Sequence, residues 1–158
     1  MESMIRDIKL APSGHDKIEW VKNFMPVLNY IDEKYSKTKP FTGKKMVITM
    51  HLEAKTAYLA LVLMHAGAQL VATGSNPLST QDDVAAALVE EGATVFTWHG
   101  CTNEEYDMFI NKALDSEPDI IIDDGGDLVN MLHTQMRDRL SYVIGGCEET
   151  TTGIIRLM

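Results

Sequence analysis

A chain of 158 residues is one ordinary domain's worth of protein, 45% hydrophobic and 23% charged, which places it among soluble globular folds able to bury roughly two thirds of their unfolded surface. A formal net charge of -9, from 23 acidic and 14 basic residues, and no basic run longer than Lys44-Lys45 argue against nucleic acid as a partner. No apolar stretch reaches membrane length, Met1 is followed by Glu2, Arg6 and Asp7 instead of a signal core, and two cysteines without zinc-like spacing read as free thiols, so a cytoplasmic protein is expected.

In chain order, Gly14 to Tyr35 reads as one or two helices around Pro26, with apolar positions at Ile18, Val21, Met25, Leu28 and Ile31. Ser36 to Gly43 is a connector. Short β-branched runs then alternate with helical patterns. Met46 to Met50 precedes the helix Ala54 to Ala66, Leu70 to Thr73 precedes Gln81 to Glu91, and Thr94 to Trp98 precedes Glu104 to Leu114. Ile120 to Ile122 follows, then the helix Leu128 to His133, then a fifth strand at Tyr142 to Ile144. Strands separated by helices cannot pair as hairpins, so they lie parallel with right-handed crossovers. The fold class is α/β, a doubly wound, mostly parallel Rossmann-like sheet with helices on both faces, preceded by amino-terminal helices. Gly67 and Gly92 fall where a left-handed residue would close a helix, and Ser79 or Thr80 is placed to cap the helix that begins near Gln81.

In such a sheet ligands bind beyond the carboxyl ends of the strands, near the point where strand order reverses. The first strand leads to His51, Glu53, Lys55 and Thr56; the second to Ser75, Asn76, Ser79 and Gln81. The fourth leads to Asp123-Asp124-Gly125-Gly126-Asp127, and the fifth to Glu148-Glu149-Thr150-Thr151-Thr152. Taken singly, each is better explained as structure: a satisfied histidine, an Asn-Pro turn, a tight acidic turn, a solvated loop. Their convergence on one edge points to a polar pocket. The first strand-helix turn, Met50 to Thr56, holds no glycine, so the phosphate cradle of a dinucleotide-binding half is missing there. A phosphoacceptor domain is also disfavoured, because the acids follow the fourth and fifth strands instead of the first.

Read together, the segments Gly14, Met25-Pro26, Tyr35, Lys39-Pro40, Gly43 and His51, then Asn76 with Ser79-Thr80-Gln81-Asp82, then Glu104-Glu105-Tyr106, resemble the S-adenosylhomocysteine hydrolases. Asp123-Asp124-Gly125-Gly126-Asp127-Leu128 and Glu148-Glu149-Thr150-Thr151-Thr152-Gly153 complete the resemblance in family order across essentially the whole chain. It implies a cytoplasmic, homo-oligomeric enzyme that reversibly cleaves S-adenosylhomocysteine to adenosine and homocysteine, with bound NAD oxidising the ribose 3'-hydroxyl and later reducing it again. By position it implies Glu149 near the ribose 2' and 3' hydroxyls, Asp124 assisting proton transfer, and His51 beside the 5' leaving group. It further implies substrate contacts from Glu53, Lys55, Thr56, Asn76 and Gln81, and contacts from Thr150, Thr151 and Thr152 to the nicotinamide side of NAD.

Two departures qualify the expectation. The family's lysine, aspartate and asparagine near the 3'-hydroxyl, its glycine-rich NAD domain and its returning carboxyl-terminal segment would come after Met158. Residues 1–158 are therefore expected to be an incomplete substrate-binding domain, inactive alone. Many members also read His-x-Thr-x-Glu-Thr where this chain reads His51-Leu52-Glu53-Ala54-Lys55-Thr56, which leaves S-inosylhomocysteine open as the substrate, since a lysine can only donate hydrogen bonds. A non-catalytic nucleoside- or metabolite-binding module is the alternative of a different class.

Overall fold

The computed structural model describes residues Met1–Met158. Five strands form one sheet in the order β3-β2-β1-β4-β5: β1 Lys45–Thr49, β2 Gln69–Thr73, β3 Thr94–Phe96, β4 Ile120–Asp123 and β5 Gly145–Glu148. Every neighbouring pair is parallel, with Val47 opposite Val71 on one side and Ile121 on the other. The order runs outward from β1 to β3, then returns to build β4 and β5 on the opposite side. The switch point therefore lies between β1 and β4.

Alternation along the strands sends side chains to two separate cores. Met46 and Ile48 point to one face with Leu70 and Ala72, where they pack under α1 (Ala11–Lys22), α3 (Ala54–His65) and α4 (Asp82–Glu90) through Ile18, Tyr58, Val84 and Leu88. Val47, Val71 and Ile121 point to the other, against α5 (Asn103–Leu114) and α6 (Asp127–Thr134) through Phe109, Ile110, Leu114, Leu128 and Leu132. A strand buried on both faces has no room for polar alternation, which is why β1, Lys-Met-Val-Ile-Thr, reads as a nearly continuous apolar run. Each fully buried aliphatic side chain contributes about 1.5–3 kcal/mol.

The helix punctuation is mostly as the sequence indicates. The amino-terminal stretch is two helices, α1 and α2 (Pro26–Thr38), each opening with proline in its first turn. Gly67 and Gly92 both sit at φ +99° just past α3 and α4. Thr102 and Glu105 form a reciprocal capping box on α5, with the Thr102 hydroxyl accepting from the Glu105 amide and the Glu105 carboxylate from the Thr102 amide.

Two expectations need correction, and one helix was not anticipated. The cap of α4 is Gln81, without a side-chain bond, because the Thr80 hydroxyl is buried against that of Thr97 at 2.6 Å and Ser79 closes the Asn76 turn instead. The fifth strand is Gly145–Glu148, and Arg137–Tyr142 forms a 3-10 helix ahead of it. A last helix, α7 (Thr151–Leu157), follows β5 with its amino end capped by Thr150. The structure adds one brace: Met4 extends the β3 edge, donating to Val95 and accepting from Thr97. No helix is long and apolar enough to cross a membrane.

Candidate functional site

Beyond the carboxyl end of β1 the chain turns at Met50 and exposes His51 before Glu53, in extended backbone, starts α3. Beyond β4, the next strand across the switch point, comes Asp124. His51 Nδ1 lies 3.1 Å from Asp124 Oδ2, with the His51 side chain 62% exposed and that of Asp124 only 14%. The two groups are in ion-pair contact without hydrogen-bond alignment; a carboxylate beside Nδ1 favours a proton there by charge, which leaves Nε2 as the acceptor of a neutral ring.

Asp124 is held by the residue before it. Asp123 is fully buried, and its carboxylate accepts from the backbone amides of Asp124 and Val129, both at 3.1 Å. Its carbonyl accepts from the Glu149 amide at 2.9 Å. One side chain thus shapes the turn after β4 while its backbone joins that turn to the end of β5. Burial, reinforced by repulsion from Glu148 and Asp127, pushes the Asp123 carboxyl up to about 6.

Glu148, opposite Asp123 in the β4–β5 register, ties the two loops from the other side. Its Oε1 accepts from the Gly125 amide (2.9 Å) and from the Thr150 amide and hydroxyl (2.8 and 2.7 Å). Burial alone would raise this carboxyl, but these bonds together hold it below the usual glutamate range. Gly125 and Gly126, at φ +105° and +79°, supply the left-handed turn that brings the amide to it.

These loops enclose a cleft of about 520 Å³ at the carboxyl edge, lined by His51, Glu53, Lys55, Thr56, Asp124, Glu149 and Thr150. No lining residue is apolar. Lys55 Nζ stands 3.7 Å from Glu53 Oε1, so one wall offers a donor and an acceptor side by side. Seven of the eleven site residues named from the sequence are thereby brought together.

The other four lie elsewhere. Asn76 turns its side-chain oxygen back to the Leu78 amide at 2.9 Å, and Gln81 accepts from Lys17 Nζ at 3.0 Å. Thr151 and Thr152 are exposed on the first turn of α7. Sequence reasoning gave no role to Asp123, Glu148 or Tyr106, and none to Ser75 beyond its place at a strand end, although an acid at the last position of a buried strand, as Asp123 is in β4, is a readable signal of loop-bracing. A second cavity, of about 460 Å³, opens at the amino ends of the strands around Lys45, Gln69 and Thr94. It carries no acid–histidine pair. No three His, Cys, Asp or Glu side chains converge as metal ligands.

An open parallel sheet with a histidine and three carboxylates gathered at its switch point defines a doubly wound α/β domain with a polar cleft at its carboxyl edge. Residues 2–144 match the family model described as S-adenosyl-L-homocysteine hydrolase, and the chain belongs to that family. It is 58% identical over 98% of its length to a protein of Methanococcus maripaludis named S-inosyl-L-homocysteine hydrolase. It is 56% identical over 97% to one of Methanocaldococcus jannaschii with the same name, and 53% identical over 97% to an adenosylhomocysteinase of Pyrococcus abyssi. Of these three relatives the chain spans 37%, 37% and 36% of the length.

Proposed function

We propose that residues 1–158 form the substrate-binding domain of an enzyme that reversibly cleaves a nucleoside–homocysteine thioether, S-adenosylhomocysteine or its inosyl counterpart, to the nucleoside and homocysteine. The observation that carries this reading is the His51–Asp124 pair at 3.1 Å, sharing one polar cleft with Glu149. The names of the relatives support it. Glu149 is the acceptor for ribose hydroxyls, and Asp124 and His51 move protons at the reacting carbons and the departing sulfur.

NAD, when bound, supplies reversible hydride acceptance at the ribose. This chain offers it little: the Thr150 hydroxyl is engaged with Glu148 and the Gly153 amide, and the turn after β1 has no glycine cradle. The exposed hydroxyls of Thr151 and Thr152 fit a contact along one edge of the cofactor, and the bulk of its binding falls to other groups.

A second reading, hypoxanthine as the base, is favoured by Lys55 beside Glu53. Hypoxanthine presents an acceptor at its 6-carbonyl next to an N–H donor, which this pair matches; adenine would have to turn to use both. The test uses the enzyme that carries this domain. Asp124→Asn and His51→Asn are each expected to lower kcat by roughly 10²–10⁴-fold, and an unchanged kcat would remove the assignment. Lys55→Glu should reverse a preference for the inosyl compound over the adenosyl one if the pair reads the base; an unchanged preference would exclude it.

A further inference from the structure

Ser75 lies outside the set of residues that line the cleft, yet its hydroxyl oxygen stands 2.5 Å from His51 Nδ1, closer than Asp124. The loop that carries it, between β2 and α4, is fastened along its whole length. Before Ser75, Gly74 is packed so that a Cβ would meet the Thr80 and Thr97 hydroxyls at 2.8 and 3.1 Å. After it, the Gly100 amide donates to the Pro77 carbonyl and the Gln81 amide to that of Leu52. At Ser75 itself, the Tyr106 hydroxyl reaches across from α5 to the Ser75 carbonyl at 3.0 Å and to Asp127 Oδ2 at 2.8 Å. Asp127 is fixed in turn by Arg156 of α7, 2.6 Å from its Oδ1. Burial, then the nearby Asp127 charge, raise the Tyr106 hydroxyl well above the ordinary tyrosine range, so it stays a donor.

We propose that Ser75, anchored through its carbonyl by Tyr106, is a positioning residue that fixes the orientation and tautomer of His51. The Asp124 carboxylate, 3.1 Å from Nδ1, favours a proton on that nitrogen by charge without being aligned to accept it, and the Ser75 oxygen, 2.5 Å away, is the aligned acceptor for that proton. The Ser75 oxygen sets the ring plane and the Asp124 charge on another loop favours the Nδ1 proton, where an exposed imidazole would otherwise swing freely. Nε2 is then presented to the cleft as the basic nitrogen. Tyr106 controls that acceptor without touching the ring. The role of Nε2 rests on the proposed function above, whereas the tautomer does not.

The test needs no substrate, so its outcome is separable from that of the functional reading. Long-range ¹H–¹⁵N spectra of the His51 ring in the 158-residue chain, recorded about two pH units above the ordinary histidine range, report the ratio of the two neutral tautomers. The expected ratio favours the proton on Nδ1. Losing one hydrogen-bond acceptor should move that ratio toward Nε2–H by about three- to tenfold in Ser75→Ala, with Ser75→Thr restoring it and Tyr106→Phe reproducing part of the shift. His15 and His65, paired with Glu90 and Asp32, should not change. An unchanged or opposite ratio in Ser75→Ala would overturn the proposal. An unchanged ratio in Tyr106→Phe, or loss of its dispersed amide spectrum, would overturn the anchoring role, the latter because the hydroxyl would then serve the whole fold.

Discussion

The two halves of the sheet are built to different standards. Around β1 and β4, Met46 to Thr49, Ile121 and Asp123 are buried, and each strand is paired on both sides. At the β5 edge, Gly145 to Cys147 are exposed, as are Ile144, Ile154 and Ile155, and polar bonds from Glu148 and Arg156 add to the backbone ladder with β4. The cleft draws on both halves: His51 and Asp124 from the packed one, Glu149 and Thr150 from the bonded one. Apolar packing fixes where the strands end, whereas the side chains that meet there are held by charged groups, so site geometry should respond to pH and to single polar changes that leave the packed half unmoved.

The sharpest way to break that contrast is to truncate one side chain in each half. Phe109→Ala, deleting a fully buried ring beneath β1 and β2, should lower unfolding free energy in denaturant by about 3–5 kcal/mol. Ile155→Ala, on a residue 67% exposed, should change it by no more than about 0.5 kcal/mol. Equal losses would show that the β5–α7 edge is as tightly packed as the centre.

Next in size is the pH dependence set by Asp123. Its folded-state value, about 6, is above the ordinary 3.8, so folding takes up a proton between these limits. Stability from this group is fully present below about pH 4 and lost as pH rises through 6, a span of about two pKa units and hence roughly 3 kcal/mol. Glu148, held low, acts in the opposite sense, losing its contribution only as pH falls below the ordinary glutamate range. Between pH 5 and 7 the wild type should therefore weaken relative to Asp123→Asn, which cannot ionise, when both are unfolded chemically at each pH. Parallel curves would contradict the burial-driven shift.

Gly153→Ala should have a smaller effect, confined to the bonded half. A Cβ there would lie 2.0 Å from the Glu148 carboxyl carbon, forcing that side chain off the Gly125 and Thr150 amides. The expected cost is about 1–3 kcal/mol, with faster amide exchange at Gly125 and Thr150 and unaltered protection in β1. Unchanged exchange at those two amides would remove Glu148 as the brace.

The same divide explains what could be read from the sequence. β1 to β4 and the helices between them were legible to within one or two residues because their apolar runs are long and their glycines fall at helix ends. The fifth strand was not, since Gly145-Gly146-Cys147 lacks β-branched residues and is exposed, while Tyr142-Val143-Ile144 beside it, one aromatic and two β-branched residues, reads as a strand. Thr151-Thr152-Gly153 hid α7 behind poor helix formers. Within the site, the strand-end rule reached His51, Asp124 and Glu149, each one or two residues past a strand. It assigned Asn76 and Gln81 to the cleft, where a turn and Lys17 engage them instead, and it reached Ser75 without giving it a role, since that role comes from a bond to Tyr106, 31 residues away in the chain.

The central claim, that the switch-point cleft binds the nucleoside thioether, is tested most directly by titrating the ¹⁵N-labelled 158-residue chain with S-adenosylhomocysteine and, separately, S-inosylhomocysteine. Saturable amide shifts should concentrate at residues 51–56, 124–126 and 148–150, with Lys45, Gln69 and Thr94 at the opposite edge of the sheet unmoved. Saturable shifts centred on that opposite edge, or no shift at His51 and Asp124 with either compound, would contradict it.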